Sequence, residues 1–336
     1  MPDCNTSACQ EKFKTMIGGQ AVIEGVMMQG PEKRAVVIRD QEGNLVEKTE
    51  PLTKRTGILA WPLIRGVVNF GSSMAGGVKT LMYSAEFFPD EETDAEPSKF
   101  EQWLDSRLSS EQLEKVIITF SVILGVALSV GLFFILPILI GDGLESLLGF
   151  PVVVKNLIEG VVRVALFIGY IALVSNMKDM KRVFSYHGAE HKTIRCYEAG
   201  LPLTVENARG MTRLHPRCGT SFLFVVMIIS ILLFTVANAL LLKIDAVAAL
   251  RENRRIVFNL LTMLFKIVIM LPIVVSVSYE CNRFIGRHDN AFTRALSAPG
   301  MWFQNFTTRE PDDSMLEVAI RSLELVIPEE KGADQW

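Results

Sequence analysis

The sequence predicts an α-helical polytopic membrane protein with about four transmembrane helices and a small N-terminal β-containing unit in the cytoplasm. The chain has 336 residues, of which 49% are hydrophobic. The apolar residues are concentrated in long blocks, and two of these, 116–140 and 219–242, contain no charged residue. Because about 20 apolar residues cross a bilayer as a helix, each block is predicted to span a membrane.

The segments before the first span differ in composition. We predict a disordered tail at 1–15, where polar residues dominate, and a small β unit at 16–57, where β-branched runs precede a hairpin turn. Within that unit, 24–31 is rich in methionine and glycine and is expected to be a loop. Residues 58–88 are apolar but rich in glycine, which predicts an amphipathic or membrane-surface helix. Residues 89–114 begin with an acidic run and are predicted to form a solvated linker.

A four-helix membrane domain is predicted at 115–280. Its second and fourth spans, 152–176 and 256–279, are each interrupted by one to three charged residues. Residues 281–336 return to soluble composition and are predicted to be cytoplasmic. Apolar side chains at helical spacing predict an amphipathic helix late in this segment, after a break in the chain at Pro299.

Basic residues indicate the orientation of the spans. Lysine and arginine favour cytoplasmic loops, and the loop 177–218 holds eight of them. We therefore predict that this loop and both termini are cytoplasmic. The loop 243–255 disagrees, because it is predicted to be external and is also basic.

Composition argues against several classes of protein. The net charge of -3 gives no general attraction to nucleic acid, so no sequence-specific nucleic-acid binding is expected. The first fifteen residues lack the apolar core of a secretory signal, so a cleaved signal is not expected. The five cysteines are irregularly spaced and do not indicate a disulfide scaffold.

A cluster of histidines is the strongest functional signal in the chain. His187, Glu190 and His191 follow H-x-x-E-H spacing, and on a helix of about 3.6 residues per turn they share one face. In such motifs the imidazoles bind a metal ion and the carboxylate moves a proton. His215 and Cys218 follow along the chain. We predict a divalent metal, with zinc the leading candidate, at His187, His191, His215 and Cys218, with Glu190 as the catalytic base.

The set of ligands stays open at this point. Four protein ligands would define a closed, structural zinc site, whereas catalysis needs an open coordination position, so one of the four would then not bind the ion. Cys196 and Glu198 are alternative ligands. Cys218 is equally well explained as a small buried apolar residue.

Three charged residues interrupt the second span. Lys155, Glu159 and Arg163 are spaced i, i+4 and i+8 and therefore share one helix face. Charges at membrane depth are costly and normally face a bundle interior or a water-filled cavity. The pattern favours a polar cavity next to the metal loop, and the simpler alternative is that residues 152–163 lie outside the hydrocarbon core.

Four motifs make the chain resemble a known family. They are 18–31 (GGQAVIEGVMMQGP), 187–191 (HGAEH), 214–221 (LHPRCGTS) and 307–312 (TTREPD). Together they make the chain similar to the YqhQ-like family of bacterial polytopic membrane proteins from about residue 16 to 327. The resemblance implies a multi-pass protein of the bacterial inner membrane, with a domain of unknown function that is often described as a predicted metal-dependent enzyme. It implies no particular substrate.

Three functions are compatible with these residues. The first is metal-activated hydrolysis of a membrane-proximal substrate, lipid-like or peptidic, with Glu190 deprotonating water. The second is a non-enzymatic scaffold, in which a structural zinc orders 177–218 as a basic surface for the insertion machinery or the ribosome. The third is transport along the polar face of the second span, which with four spans would require an oligomer. The lipid bilayer is a partner in each case.

Overall fold

The computed structural model describes residues 12–53, 56–88, 110–244, 247, 253–288, 290–330 and 332–335. The chain divides into two compact bodies: the first comprises Met1–Phe88, Tyr170–Phe234 and Ile256–Trp336, and the second comprises Pro89–Gly169 and Thr235–Arg255. Most of the predicted tail and linker, at 1–11 and 89–109, lies outside the described residues. Thr15, at the end of the predicted tail, is buried and pairs with Gln335.

Helices account for most of the described chain. They are α1 (Ile64–Ala85), α2 (Ser110–Val130), α3 (Leu136–Leu148), α4 (Val152–Val174), α5 (Lys178–Glu198), α6 (Val205–Arg209), α7 (Gly219–Leu241), α8 (Arg255–Phe265), α9 (Leu271–Arg287), α10 (Ala291–Thr307) and α11 (Asp313–Glu324). A short 3-10 helix lies at Gly57–Ala60. Single π-helical turns at Gly131–Ile135 and Lys266–Met270 join α2 to α3 and α8 to α9.

A four-stranded antiparallel sheet opens the first body. Its strands are β1 (Gly18–Val22), β2 (Gly25–Gln29), β3 (Lys33–Arg39) and β4 (Leu45–Pro51), in that order across the sheet. The loop predicted at 24–31 is wrong over most of its length, because β2 pairs with both of its neighbours. The methionines fit a strand because Met28 is buried in the core on one face and Met27 in the core on the other.

Helices cover both faces of this sheet. One face packs against α5 and α11 through side chains that include Val26 and Val37, and together they form the main core of the first body. The other face carries Met27 and Val36 and packs against aromatic residues at and just beyond the end of α1. Because both faces are covered, β2 and the middle of β3 are buried almost completely.

The amphipathic helix predicted near the C-terminus is α11. The side chain of Asp312 accepts a hydrogen bond from the amide of Met315 and thereby caps the helix. Ser322 in turn donates to the carbonyl of Val26 on the sheet. The break predicted at Pro299 is wrong, because α10 continues through this residue to Thr307.

Helix α1 begins beside the last membrane-type helix. Arg65 forms a two-pronged ion pair with Glu280, with Nε–Oε1 at 2.7 Å and Nη2–Oε2 at 2.5 Å. Asn69 donates to the hydroxyl of Tyr279 at 2.8 Å. Away from these contacts α1 exposes apolar side chains such as Met74, which is the pattern expected of a membrane-surface helix.

Four helical segments among the described residues are long and apolar enough to cross a membrane. They are Thr119–Leu148, Val152–Val174, Phe222–Leu241 and Ile256–Arg287. Each of the four predicted spans overlaps one of them. Their apolar side chains are largely exposed, as expected of helices whose surroundings are lipid rather than water. The helical fold with four membrane-type helices and a small sheet is therefore confirmed.

The predicted polar face of the second span lies in the second body. Lys155 pairs with Asp142 and, at 3.6 Å, with Glu159, and both side chains of α4 are buried. The Nε of Arg163 donates to the carbonyl of Phe133 at 2.9 Å, within the π-helical turn. The buried Lys155 and Glu159 thus have partners of opposite charge, and the half-buried Arg163 has a backbone acceptor. These contacts account for the burial without a transported ion.

Candidate metal centre

The centre is built on α5, which carries His187, Glu190 and His191 in about one turn. The helix is deeply buried at this point, since Glu190 is 4% and His191 is 1% exposed. Gly188 lets the segment 307–312 cross the helix, because a Cβ at this position would lie 2.0 Å from the carbonyl oxygen of Arg309. The motif therefore has two structural roles. Its histidines lie on one face of α5, and its glycine allows the segment 307–312 to approach the helix backbone.

The same helix positions the loop that carries Cys218. Three of its side chains donate hydrogen bonds to backbone carbonyls of this loop: Lys192 to Arg209 at 3.0 Å, His191 to Arg213 at 2.6 Å and Arg195 to Leu214 at 3.1 Å. Cys218 follows at the entrance to α7. One face of α5 thus fixes both its own histidines and the approach of the cysteine.

His187, His191 and Cys218 come together as a group that can hold a metal ion. Their ligand atoms all lie within 4.8 Å of one another. His187 Nε2 lies 3.2 Å from Cys218 Sγ. In a tetrahedral zinc site, bond lengths of about 2.0–2.3 Å place neighbouring ligand atoms about 3.3–3.6 Å apart. The spacing of His187 and Cys218 is already close to that range, and the whole group lies within 4.8 Å.

Backbone carbonyls orient both imidazoles toward the centre of the group. His187 Nδ1 donates to the carbonyl of Thr307 at 2.8 Å, and His191 Nδ1 donates to that of Arg213 at 2.6 Å. When the ring is neutral, this hydrogen bond leaves the lone pair on Nε2, which is the usual arrangement behind a metal-bound histidine. Among the described residues, the buried Nε2 of His191 has no hydrogen-bond partner, as expected of an atom that binds an ion.

Electrostatics favour the thiolate form of Cys218. Burial acts to raise the pKa of this thiol, but the nearby imidazoles of His191 and His187 outweigh burial and hold the pKa well below its usual range. Burial likewise acts to lower the pKa of His187, and the charge of Cys218 overcomes it, which raises this pKa to about 9. The thiolate is the form of cysteine that binds metals.

Glu190 places a carboxylate beside this group. Burial raises the pKa of Glu190, and His187 and His191 oppose that shift. Within the described chain, its buried Oε2 has no hydrogen-bond partner. Gly19 of β1 donates a backbone hydrogen bond to Glu190 and also lines a cavity of about 240 Å³. The residue that donates to this carboxylate therefore also borders a cavity.

Gly19→Ala is expected to disturb this carboxylate, whereas Gly18→Ala should be tolerated. A Cβ at Gly19 would lie 2.6 Å from the carbonyl oxygen of Met27 and 3.0 Å from Cδ of Glu190, while one at Gly18 meets nothing within 4 Å. Overpacking of this kind destabilises by about 1–3 kcal/mol. Thermal unfolding of the two variants in detergent measures the difference, and equal melting temperatures would contradict the expectation.

His215 lies near the group but bonds elsewhere. Its ring centroid is 5.6 Å from that of His191, and its Nε2 contacts Glu198 Oε2 at 3.2 Å. Burial, together with Arg217 and Arg195, holds the pKa of His215 well below its usual value, so the neutral ring donates to Glu198. The structure thus brings three of the four predicted ligands together and places His215 beside them in a second polar cluster.

The two alternative ligands, Glu198 and Cys196, occupy other positions. Glu198 is fully buried and pairs with Arg217 while accepting a hydrogen bond from the amide of Thr15. Burial raises the pKa of the Cys196 thiol to about 11, and the side chain packs in the main core. Cys196 therefore has the character of a structural thiol, in contrast with Cys218.

Several residues at the centre gave no signal in the sequence. Gln304 donates to the carbonyl of His215 and accepts from its amide, at 2.7 and 2.8 Å. Thr307 and Arg213 act through backbone carbonyls, which any residue type provides. In the sequence, the motif 307–312 contributes to the family resemblance and precedes a predicted helix, but neither feature indicates that it contacts α5. The glycine at 188 makes room for this segment.

These features define a class of protein, namely an α-helical chain with four membrane-type helices, a small antiparallel sheet and a histidine–cysteine group that can hold a metal ion. The chain belongs to the family described as "Protein of unknown function (DUF1385)", whose profile matches residues 61–329. It is 31% identical over 332 residues to the uncharacterized protein YqhQ of Bacillus subtilis (strain 168), a match that covers 97% of this chain and 96% of that protein. The resemblance to the YqhQ-like family is thereby confirmed. No solved structure matches the chain.

Proposed function

We propose that this protein is a metal-dependent hydrolase of the inner membrane, with a substrate that lies close to the bilayer. The observation that carries the proposal is the placing of a buried carboxylate with a free oxygen, Glu190, beside the metal-type donors of His187, His191 and Cys218. Catalytic zinc sites have three protein ligands and one open position, whereas structural sites have four.

Each residue has a chemical role in this proposal. The two imidazoles and the thiolate would hold the ion, and zinc suits that donor set. The ion would supply Lewis-acid polarisation of the group under attack. Glu190 would accept a proton from the attacking water and return it to the leaving group, a role that its raised pKa favours. The carbonyls of Thr307 and Arg213 would keep both imidazoles in the required tautomer.

The position of Cys218 supports a substrate at the membrane surface. A membrane-type helix begins at Phe222, one turn after this cysteine. The centre therefore adjoins the end of that helix, where a lipid-like ester or a membrane peptide can approach. The basic loop 177–218 supports a cytoplasmic position for this surface.

A structural zinc in a scaffold protein is the second candidate, and the burial of the centre favours it. Glu190, His191 and Cys218 are all less than one-tenth exposed, and structural sites are closed to solvent. His215, close to His191, would then complete a set of four ligands after rotation of its ring. Such a scaffold would present the basic loop to the insertion machinery or to the ribosome.

Metal content tests both candidates. We expect the purified full chain to hold one ion, and we expect His191→Ala and Cys218→Ala to lose it, because each removes a donor from a site with few of them. His215→Ala should retain the ion if the site has three ligands. Elemental analysis of detergent-solubilised protein measures each variant.

Cys196→Ala is the matched control, since it removes another buried thiol that lies in the apolar core. This variant should keep its metal. Loss of the ion in His215→Ala as well would favour the structural site over the hydrolase. Wild-type protein that holds no ion even after incubation with zinc would overturn both candidates.

A further inference from the structure

A second cavity is bordered by the loop that carries Cys218. It has a volume of about 400 Å³, within the range of about 300–1,000 Å³ that is usual for small-molecule sites. Its walls come from the loop at Pro216 and Arg217, from the end of α9, from α10 and from Lys14 near the N-terminus. All of these elements belong to the first body.

The lining of this cavity is cationic. Lys14, Arg217, His288 and Arg294 contribute basic groups, and none of the described residues that line the cavity carries a carboxylate. Thr293 and Ser297 add hydroxyl groups from α10. Arg217 pairs with the buried carboxylate of Glu198, and this contact positions its guanidinium. Guanidinium and ammonium groups beside hydroxyls are suitable donors for phosphate oxygens.

The residues around the cavity indicate a position near the membrane surface. Ile285, which lines it, lies in the last turn of the membrane-type helix that ends at Arg287. The next helix, α10, exposes Phe292 and Trp302, which are 67% and 52% accessible. Large aromatic side chains of this kind are typical anchors at the level of lipid headgroups. Met301 and Ala298 give the cavity an apolar side as well.

We infer that this cavity binds the phosphate group of an anionic ligand, with a phospholipid headgroup as the source that the apolar wall and the exposed aromatics favour. A soluble phosphate ester would offer the same oxygens and is the other source. The site is independent of the metal centre in chemistry, although Arg217 lies one residue before Cys218 in the chain.

Ligand-induced stabilisation tests this inference. A ligand that binds only the folded protein raises its melting temperature in proportion to the logarithm of its concentration above Kd. The full chain in neutral detergent is titrated with dihexanoyl phosphatidylglycerol, dihexanoyl phosphatidylcholine and glycerol 3-phosphate. We expect the anionic lipid to stabilise the wild type and the zwitterionic lipid to do so much less. A response to glycerol 3-phosphate equal to that of the lipid would assign the site to soluble phosphate esters.

Arg294→Ala and Lys14→Ala should each weaken the apparent affinity for the anion by about tenfold, the effect of losing one charge-assisted hydrogen bond. Arg287→Ala is the matched control, because it removes an arginine of the same region that does not line the cavity. Two results would overturn the inference. The first is that neither anion raises the melting temperature of the wild type. The second is that Arg287→Ala loses as much apparent affinity as the cavity variants, which would indicate general attraction to a basic surface. Metal content measured alongside keeps this test separate from the metal centre.

Discussion

Gly188→Ala is expected to destabilise the first body by about 3 kcal/mol or more, although alanine is the better helix former. The added Cβ would lie 2.0 Å from the carbonyl oxygen of Arg309 and 3.2 Å from its carbonyl carbon. Both partners are backbone, so no change of rotamer relieves the contact. The gain in helix propensity is only about 1 kcal/mol. The steric clash is larger, so the net effect of the substitution on the free energy of unfolding is destabilising.

The displaced segment also bears on the metal centre. The amide of Arg309 donates to the carbonyl of Phe184 at 2.8 Å, and the carbonyl of Thr307 accepts from His187. Moving this segment away from α5 would strain both hydrogen bonds. We therefore expect Gly188→Ala to lower metal content together with stability, even though it changes no ligand.

Gly71→Ala is the control for this prediction. Gly71 is also inside a helix of the first body, but a Cβ there meets nothing within 4 Å. The melting temperature of Gly71→Ala should match or slightly exceed that of the wild type, because only the higher helix propensity of alanine contributes. Thermal unfolding of both variants in the same detergent gives the comparison. A Gly188→Ala protein that melts with the wild type would show that 307–312 does not cross the helix as described.

The parts of the fold that follow from composition could be predicted. Long runs of apolar residues with few charges predict the four membrane-type helices, and apolar residues at helical spacing after Asp312 predict α11. Both signals are local in the chain. The H-x-x-E-H spacing likewise brings His187, Glu190 and His191 to one helix face without any tertiary information. The spacing alone therefore predicts which helix face carries the candidate centre.

The parts that depend on tertiary partners could not be predicted. The sequence of β2 is rich in methionine and glycine and predicts a loop. It forms a strand because it pairs with a strand on each side, and these partners are not visible in the local sequence. His215 and Cys218 look equivalent as ligands in the sequence, yet Glu198 and Gln304 hold His215 by its ring and its backbone. The hydrogen bond from His187 to Thr307 joins residues 120 positions apart through a carbonyl that has no residue signature.

Glu190→Gln is expected to reduce hydrolysis by about 10²–10⁴-fold, the usual contribution of a general base, while metal content stays unchanged. Glutamine keeps the shape of the side chain but cannot take a proton from water. Burial disfavours the charged carboxylate, so the neutral amide should leave the melting temperature equal to that of the wild type or higher. Unchanged metal and stability with lost activity would separate a catalytic role from a structural one.

The measurement uses p-nitrophenyl butyrate as a small ester probe, with Glu310→Gln as the control. Glu310 undergoes the same chemical change, but its side chain is 68% exposed and pairs with Lys192 at the edge of the centre. It should therefore retain wild-type hydrolysis. Equal rates in Glu190→Gln and the wild type would remove Glu190 from the mechanism. A third outcome would favour the structural zinc. In it, the wild type holds its ion but does not hydrolyse the ester, and Glu190→Gln changes neither metal content nor melting temperature. A scaffold needs the ion but not the base.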